Sequence, residues 1–309
     1  SYHHEKAPMN VRFLARADRW KASSRIRAWQ VVDAWNHPSV TCELLHKGML
    51  EQITAPADVI VLQKLKPSFT GDGILARLKD RTGARLVWDM ADPEWCTRGD
   101  VFFQRVAAHI DHFVVATEGL RAGLEADHGI KAVVIEDRFP YTPHQKVHTP
   151  TEVPAVVWFG MFGNREVSIV STLQTFYRLN ANDITYTITI IDEEPETPLP
   201  GATKHVRSLV TYTKWDLATF EQELLEGDVA LLPPFPGEWG KMKSWNKLLT
   251  AAWAGLPTTD GQSYTEMKRL LTDWEYRAGQ GWVARQWAER EGNVLTSVQQ
   301  WKDLLRWTP

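Results

Sequence analysis

The sequence predicts an α/β protein built from two doubly wound, Rossmann-like units, each a parallel sheet covered by helices. Three observations carry that expectation. From Met9 onward, short apolar runs alternate with longer segments of helical spacing, as strand–helix–strand crossovers require. The alternation stops across residues 138–154, where Pro140, Pro143, Pro150 and Pro154 fall, and then restarts. The chain's 309 residues are ample for two cores, at about 100–200 residues per domain.

The first strand is expected at 11–15, followed by a helix over 24–35 with Ile26, Trp29 and Val32 on one face. Further strands fall at 40–45, 58–63, 85–90, 113–117 and 132–136. Their apolar runs are continuous rather than alternating, so the strands are expected to be buried on both faces. The second unit opens with a strand at 154–160, a helix over 166–179 carrying Ile169, Leu173 and Phe176, and a strand at 184–192. A strand near 204–210, a helix over 215–226 carrying Leu217, Phe220 and Leu224, and a strand at 228–232 follow. The helix over 244–254 is stopped by Gly255 and Pro257. The last segment, 293–307, places Leu295, Val298, Trp301 and Leu305 along one side and is expected to dock. The domains are therefore drawn as 1–148, 149–284, and a helical segment over 285–309 packing across both. Open sheets of this kind bind ligands at the carboxyl ends of their strands, so a cleft between the units is the expected site.

Composition narrows the function. With 35 Lys+Arg against 38 Asp+Glu, the net charge of -3 argues against bulk attachment to nucleic acid or an anionic membrane. Two cysteines, Cys42 and Cys96, make neither a multi-bridge framework nor a zinc-spaced cluster, so a reducing, cytoplasmic setting is expected. No apolar run approaches the roughly 18 residues of a membrane span, and the polar start is no secretory signal. Met9 reads as an initiator, and nothing is built on His3 or His4. Most of the 15 tryptophans are expected to fill cores or interfaces.

Four segments carry candidate chemistry. After the first strand, Ser23 and Ser24 stand among Arg19, Lys21, Arg25 and Arg27 at a helix start, where free N–H groups and the dipole suit an anion. An N-cap serine with solvated arginines is the plainer alternative. Asp89 and Asp92 lie at the end of the 85–90 strand; Asp89 is the better cleft carboxylate, and a capped turn before Pro93 is the alternative. In the strand-to-helix turn at 160–165, Gly160 and Gly163 would let a ligand approach the backbone, and Arg165 would clamp a phosphate. The three-glycine dinucleotide spacing is absent, which argues against nicotinamide chemistry. Finally, Lys241, Lys243, Asn246 and Lys247 surround the first turn of the 244–254 helix. Cations there oppose the dipole unless an anion such as a diphosphate arrives; a solvated basic patch is the competing reading. His109 and His112 would not share a helix, so no metal is expected.

The order of these segments resembles a known family. Ser23-Ser24-Arg25-Ile26-Arg27, Val87-Trp88-Asp89-Met90-Ala91-Asp92, Val157-Trp158-Phe159-Gly160, Asp228-Val229-Ala230-Leu231-Leu232-Pro233 and Asn246-Lys247-Leu248-Leu249 through Gly255-Leu256-Pro257 resemble the group 1 (family 4) glycosyltransferases of GT-B fold. The similarity runs from about residue 10 to 307 and is strongest over 228–257. It implies transfer of a hexosyl or pentosyl group from a nucleotide-sugar donor, such as a UDP- or GDP-sugar, to an acceptor hydroxyl. It further implies retention at the anomeric carbon, no metal and no separate cofactor. The donor would sit on the second unit and the acceptor mainly on the first. Carried over by position, Asp89, Lys247 and Arg165 would be catalytic. Gly160, Gly163, Asn164, Lys243, Asn246, Leu248, Thr250 and Trp215 would bind the donor, and Ser23, Ser24, Arg25, Arg27 and Asp92 the acceptor. The family's paired glutamates read Met242 and Thr250 here. That departure keeps a catalytically inactive sugar-nucleotide-binding module as an alternative, beside a GT-B phosphorylase or epimerase. A glycan, a lipid-linked sugar, a protein or a phage-type hydroxymethylated DNA base all remain open as acceptor. The chain has no amphipathic basic helix for stable membrane attachment.

Overall fold

The computed structural model describes residues 8–71, 73–194 and 197–307, so His3 and His4 lie outside the described residues. The chain forms two compact units. One comprises Ser1–Pro140, Met242–Ser244 and Asn293–Pro309; the other comprises Tyr141–Lys241 and Trp245–Gly292.

The first unit is a six-stranded parallel sheet of β1 (Val11–Ala15), β2 (Val40–Leu44), β3 (Val59–Gln63), β4 (Arg85–Met90), β5 (His112–Val115) and β6 (Val133–Val134). Its order is β2-β1-β3-β4-β5-β6, so the winding direction reverses between β1 and β3. Leu14 pairs in register with Leu62 across that reversal. Every residue of β3 is buried, as a continuous apolar strand covered on both faces must be. One face packs Leu14, Leu62, Trp88 and Phe103; the other packs Phe13, Val31, Val61, Val87 and Trp301. The helix expected over 24–35 runs from Ala22 to Trp35, with a π-helical turn at Arg25–Trp29.

The second unit is a five-stranded parallel sheet of β7 (Ala155–Phe159), β8 (Thr187–Asp192), β9 (Val210–Lys214), β10 (Val229–Leu231) and β11 (Thr258–Thr259), ordered β11-β10-β7-β8-β9. Its direction reverses between β7 and β10. The strand expected near 204–210 is instead a helix, Lys204–Ser208, with β9 after it. Thr203 caps that helix by accepting the Val206 amide at 3.3 Å. The helix expected over 166–179 is two, Phe162–Ile169 and Leu173–Ala181, joined by a 3-10 turn. The helix expected from 215 begins at Phe220, which leaves Leu217 exposed.

The segment drawn as 285–309 divides between the units. Residues up to Gly292 belong to the second, within and just after the long helix Trp274–Glu291. From Asn293 the chain belongs to the first, where Asn293 Oδ1 accepts the Leu295 amide at 2.9 Å and starts the helix Val294–Leu305. That helix buries Val294, Val298, Trp301 and Leu305, and Leu295, expected on the buried side, faces solvent. The proline-rich stretch is also not a free linker. Arg285 donates to the carbonyls of Thr142 (2.6 Å), His144 (3.3 Å) and Trp253 (2.5 Å), pinning residues 142–144 to the second unit. Among the described residues, no helix is long and apolar enough to cross a membrane.

Candidate functional site

In the second unit, the sheet's reversal brings the end of β7 beside the chain that leaves β10. Leu249, Ala251, Ala252 and Trp253 anchor the helix Asn246–Trp253, so its first turn is held firmly at this edge. The turn has no acidic residue, and Trp245 at the N-cap makes no side-chain cap, so the first amides are left to other acceptors. Lys247 Nζ stands 4.8 Å from the centroid of the buried Trp158 ring, a cation–π contact of about 0.5–2 kcal/mol. Gly160 makes room for it: a Cβ there would lie 2.3 Å from Nζ and 3.0 Å from Cε. Cation and helix dipole therefore add at one point, an arrangement that an anion stabilises. Thr250 Oγ1 is turned inward, donating to the Asn246 carbonyl at 2.7 Å, and Leu248 is exposed.

The other expected donor residues are placed differently. Arg165 is fully buried, 3.1 Å from Asp192, and donates to the Thr197 carbonyl at 2.8 Å. Its guanidinium lies between the rings of Phe162 (4.7 Å) and Tyr212 (5.4 Å). Burial pushes the Asp192 carboxyl above its ordinary range, against the Glu194 amide and Arg165, which pull it down. Arg165 is thus an internal residue of the sheet's edge, not an exposed phosphate clamp. Glu193 accepts the Phe162 amide at 2.8 Å, filling the neighbouring helix start that a phosphate would otherwise take. Gly163 is exposed, and a Cβ there would meet nothing within 4 Å, so no close approach requires glycine at that position. The Asn164 carbonyl accepts Ser168 Oγ at 2.7 Å, and half-buried Trp215 packs on Phe220 at 6.1 Å.

In the first unit, Asp89, next to the last residue of β4, is fully buried rather than exposed. Arg27 donates to it from Nε (3.1 and 3.0 Å) and Nη2 (2.5 Å), while Nη1 reaches Asp137 and the Ile135 carbonyl, each at 2.8 Å. The π-helical turn points Arg27 inward, and the two side chains are occupied with each other rather than open to solvent. Burial raises the Asp89 carboxyl, and Arg27 opposes that rise. Asp137 gave no local sequence signal, because its partner arrives from a distant helix. Ser24 is buried as well, donating to Gln63 Oε1 at 2.8 Å and accepting the Ala17 amide at 3.1 Å. Ser23 beside it is half-buried. Arg25 donates to the carbonyls of Arg19 (2.9 Å) and Trp20 (3.4 Å), and burial lowers its pKa. Arg19 pairs with Asp33.

Asp92 keeps a charged role. Lys64 Nζ bonds one oxygen and Lys243 Nζ the other, at 2.9 Å for the latter. Burial would raise this carboxyl, but the two lysines outweigh it and hold it below the usual range. The cation cluster expected around one helix is therefore divided. Lys247 stays with the second unit, while Lys243 belongs with Met242–Ser244 to the first, where Thr117 Oγ1 donates to the Met242 carbonyl at 3.0 Å. Exposed Lys241 pairs with Glu238 at 2.6 Å. Lys64, a single lysine at a strand end, was not singled out by sequence. No group of three or more His, Cys, Asp or Glu among the described residues is placed to hold a metal ion.

No family model and no curated protein matches this sequence. Solved structures match it in fold. WaaG, described as a glycosyltransferase involved in lipopolysaccharide biosynthesis, aligns with a TM-score of 0.62 at 13% identity, over 96% of this chain and 99% of its own. The apo form of the lipopolysaccharide outer core galactosyltransferase WaaB aligns at 0.60 and 9% identity, over 96% and 98%. A mutant of TarM from S. aureus, solved with fondaparinux, alpha-GlcNAc-glycerol and UDP, aligns at 0.55 and 10% identity, over 81% of this chain and 56% of that one. The chain thus spans little more than half the length of TarM, against nearly all of WaaG and WaaB. What these glycosyltransferases share with it, at such identities, is architecture: two parallel-strand α/β units in the GT-B fold.

Proposed function

We propose that this protein transfers a glycosyl group from a nucleotide-diphosphate sugar to an acceptor hydroxyl, with retention at the anomeric carbon. In this reading the second unit holds the donor and the first the acceptor. One observation carries it: Lys247, seated on Trp158 and cleared by Gly160, adds its charge to the uncapped start of the helix Asn246–Trp253. Breaking a glycosyl–phosphate bond builds negative charge on the leaving diphosphate. A fixed cation and aligned amides at that spot stabilise the charge where it develops, without requiring a bound metal. The departing phosphate then takes the acceptor's proton as the hydroxyl attacks on the same face, so no side-chain nucleophile is needed. The presence of UDP in the TarM mutant structure supports a nucleoside diphosphate as the ligand class.

Calorimetric titration with UDP and GDP, followed by mass detection of a transferred sugar, tests the proposal. Lys247→Ala is expected to weaken nucleotide binding and to lower turnover by about 10²-fold or more. An unchanged rate refutes the role. A second reading, a sugar-nucleotide-binding module without catalysis, is favoured by the internal pairing of Asp89 with Arg27 and of Arg165 with Asp192. Nucleotide binding without turnover on any acceptor decides for it.

A further inference from the structure

The helix Trp274–Glu291 has an inner row and an outer face. Arg277, Gly281, Arg285 and Ala288 recur at helical spacing and are buried. Gly281 is glycine for a visible reason, since a Cβ there would lie 2.3 Å from the Gly255 carbonyl oxygen and 2.7 Å from His148. The opposite face exposes Glu275, Gly279, Trp282, Val283, Gln286 and Arg290. Trp282 is 64% exposed and Val283 54%, so an indole leaves most of its apolar area in water beside a second apolar side chain. Gly279 differs from Gly281: a Cβ there meets nothing within 4 Å, yet glycine inside a helix is destabilising.

The spacing along this face is its second property. From Glu275 to Arg290 the intervals are four, three, one, three and four residues, the same read from either end, with the midpoint between Trp282 and Val283. A two-fold axis at that midpoint, perpendicular to the helix, therefore lays the face on an antiparallel copy of itself in register. Each Trp282 and each Val283 then meets its own counterpart across the axis. Gln286 of each copy lies over the notch left by Gly279 of the other, and Glu275 of each comes to Arg290 of the other. That pairing joins opposite charges at both ends, whereas a parallel arrangement would set Glu275 against Glu275 and Arg290 against Arg290. Arg290 already donates to Glu291 at 2.8 Å, an exposed pair that water weakens, and Glu289 is held by Arg285 at 2.7 Å.

We infer that this face is an interface with a second copy of the chain, formed by two-fold antiparallel pairing of the helix Trp274–Glu291. A lipid surface is the poorer occupant, because one acid and one base stand where a membrane-binding helix carries a basic border. One helix of 18 residues, about 27 Å long, makes a small interface, so the dimer is reversible and concentration-dependent. It uses none of the residues assigned to the donor and stands apart from the transfer reading.

Sedimentation equilibrium of the full chain over a wide range of concentration tests it. The wild type is expected to shift from one chain toward two. Trp282→Ala should weaken that association at least tenfold, with the circular dichroism spectrum unchanged, because the side chain lies mostly outside the fold. Glu275→Arg alone and Arg290→Glu alone should each weaken self-association, since either sets like charges together twice per dimer. An equimolar mixture of these two variants should associate more tightly than either by itself, because every pair across the interface is then of opposite sign. A wild type that stays monomeric throughout, a Trp282→Ala variant that associates as the wild type does, or a mixture no tighter than its components overturns the proposal. Co-sedimentation of a monomeric wild type with phosphatidylglycerol vesicles, lost in Trp282→Ala, would give the face to a lipid surface and likewise overturn it.

Discussion

Replacing Arg27 with leucine isolates what the buried ion network contributes. The native guanidinium is 4% exposed and makes donor contacts to Asp89, Asp137 and the Ile135 carbonyl, with Asp89 itself wholly buried. Leucine fills part of the volume but leaves two buried carboxylates facing each other with their shared cation gone. Breaking a buried pair by removing one partner costs about 3–5 kcal/mol. Against a total stability of about 5–15 kcal/mol for a typical domain, that is a large fraction. Urea denaturation followed by circular dichroism is the assay, read as a fall in midpoint at constant slope. The double variant Arg27→Leu with Asp89→Asn should recover part of the loss, because one stranded charge is then removed. A loss under about 1 kcal/mol for Arg27→Leu, or no recovery in the double variant, would show that these groups are not coupled as described.

Three further outcomes are expected. Gly160→Ala places a methyl 2.3 Å from Lys247 Nζ and 3.2 Å from the Trp158 ring, so the ammonium must move; UDP affinity measured by calorimetry should fall, and Tm should fall with it. Trp301→Ala empties the core beside Phe13, whose ring lies 5.2 Å away, and should cost about 3–5 kcal/mol in denaturant titration. His148 is held neutral, chiefly by burial, with the Gly255 carbonyl at 2.9 Å opposing the drop in its pKa. Its folded pKa lies below the unfolded value of about 6.5, so the folded state binds its proton less readily. Stability is therefore whole above that value and declines as pH falls through it toward the folded pKa. A His148→Gln variant should lose this acid-side slope in melting temperature, and an unaltered slope would assign it to other groups.

The strands were legible because parallel strands buried on both faces write themselves as unbroken apolar runs; β4 occupies the expected residues, 85–90. β11, two threonines long, has no periodicity to read. The helix Trp274–Glu291 escaped for a different reason: it buries Arg277 and Arg285 and exposes Trp282 and Val283, the reverse of the amphipathic rule. Lys247 was legible in the candidate site because a cation at a helix start is a local contradiction. Arg165 and Asp89 were misplaced because the groups that neutralise them, Asp192 and Arg27, come from other elements, and pairing across a sheet leaves no trace in spacing. Lys64 depends on a backbone conformation rather than on a motif.

The placement of the helix Val294–Leu305 sets an order of events during synthesis. Trp301 and Val298 close one face of a sheet whose first strand was made almost three hundred residues earlier, so that face stays uncovered while the whole intervening unit is translated. All six strands of the first unit are made by residue 134, before β7 begins, yet that unit is finished last, when the helix Val294–Leu305 arrives. Nascent chains halted before residue 293 should accordingly present a bare apolar sheet surface to chaperones.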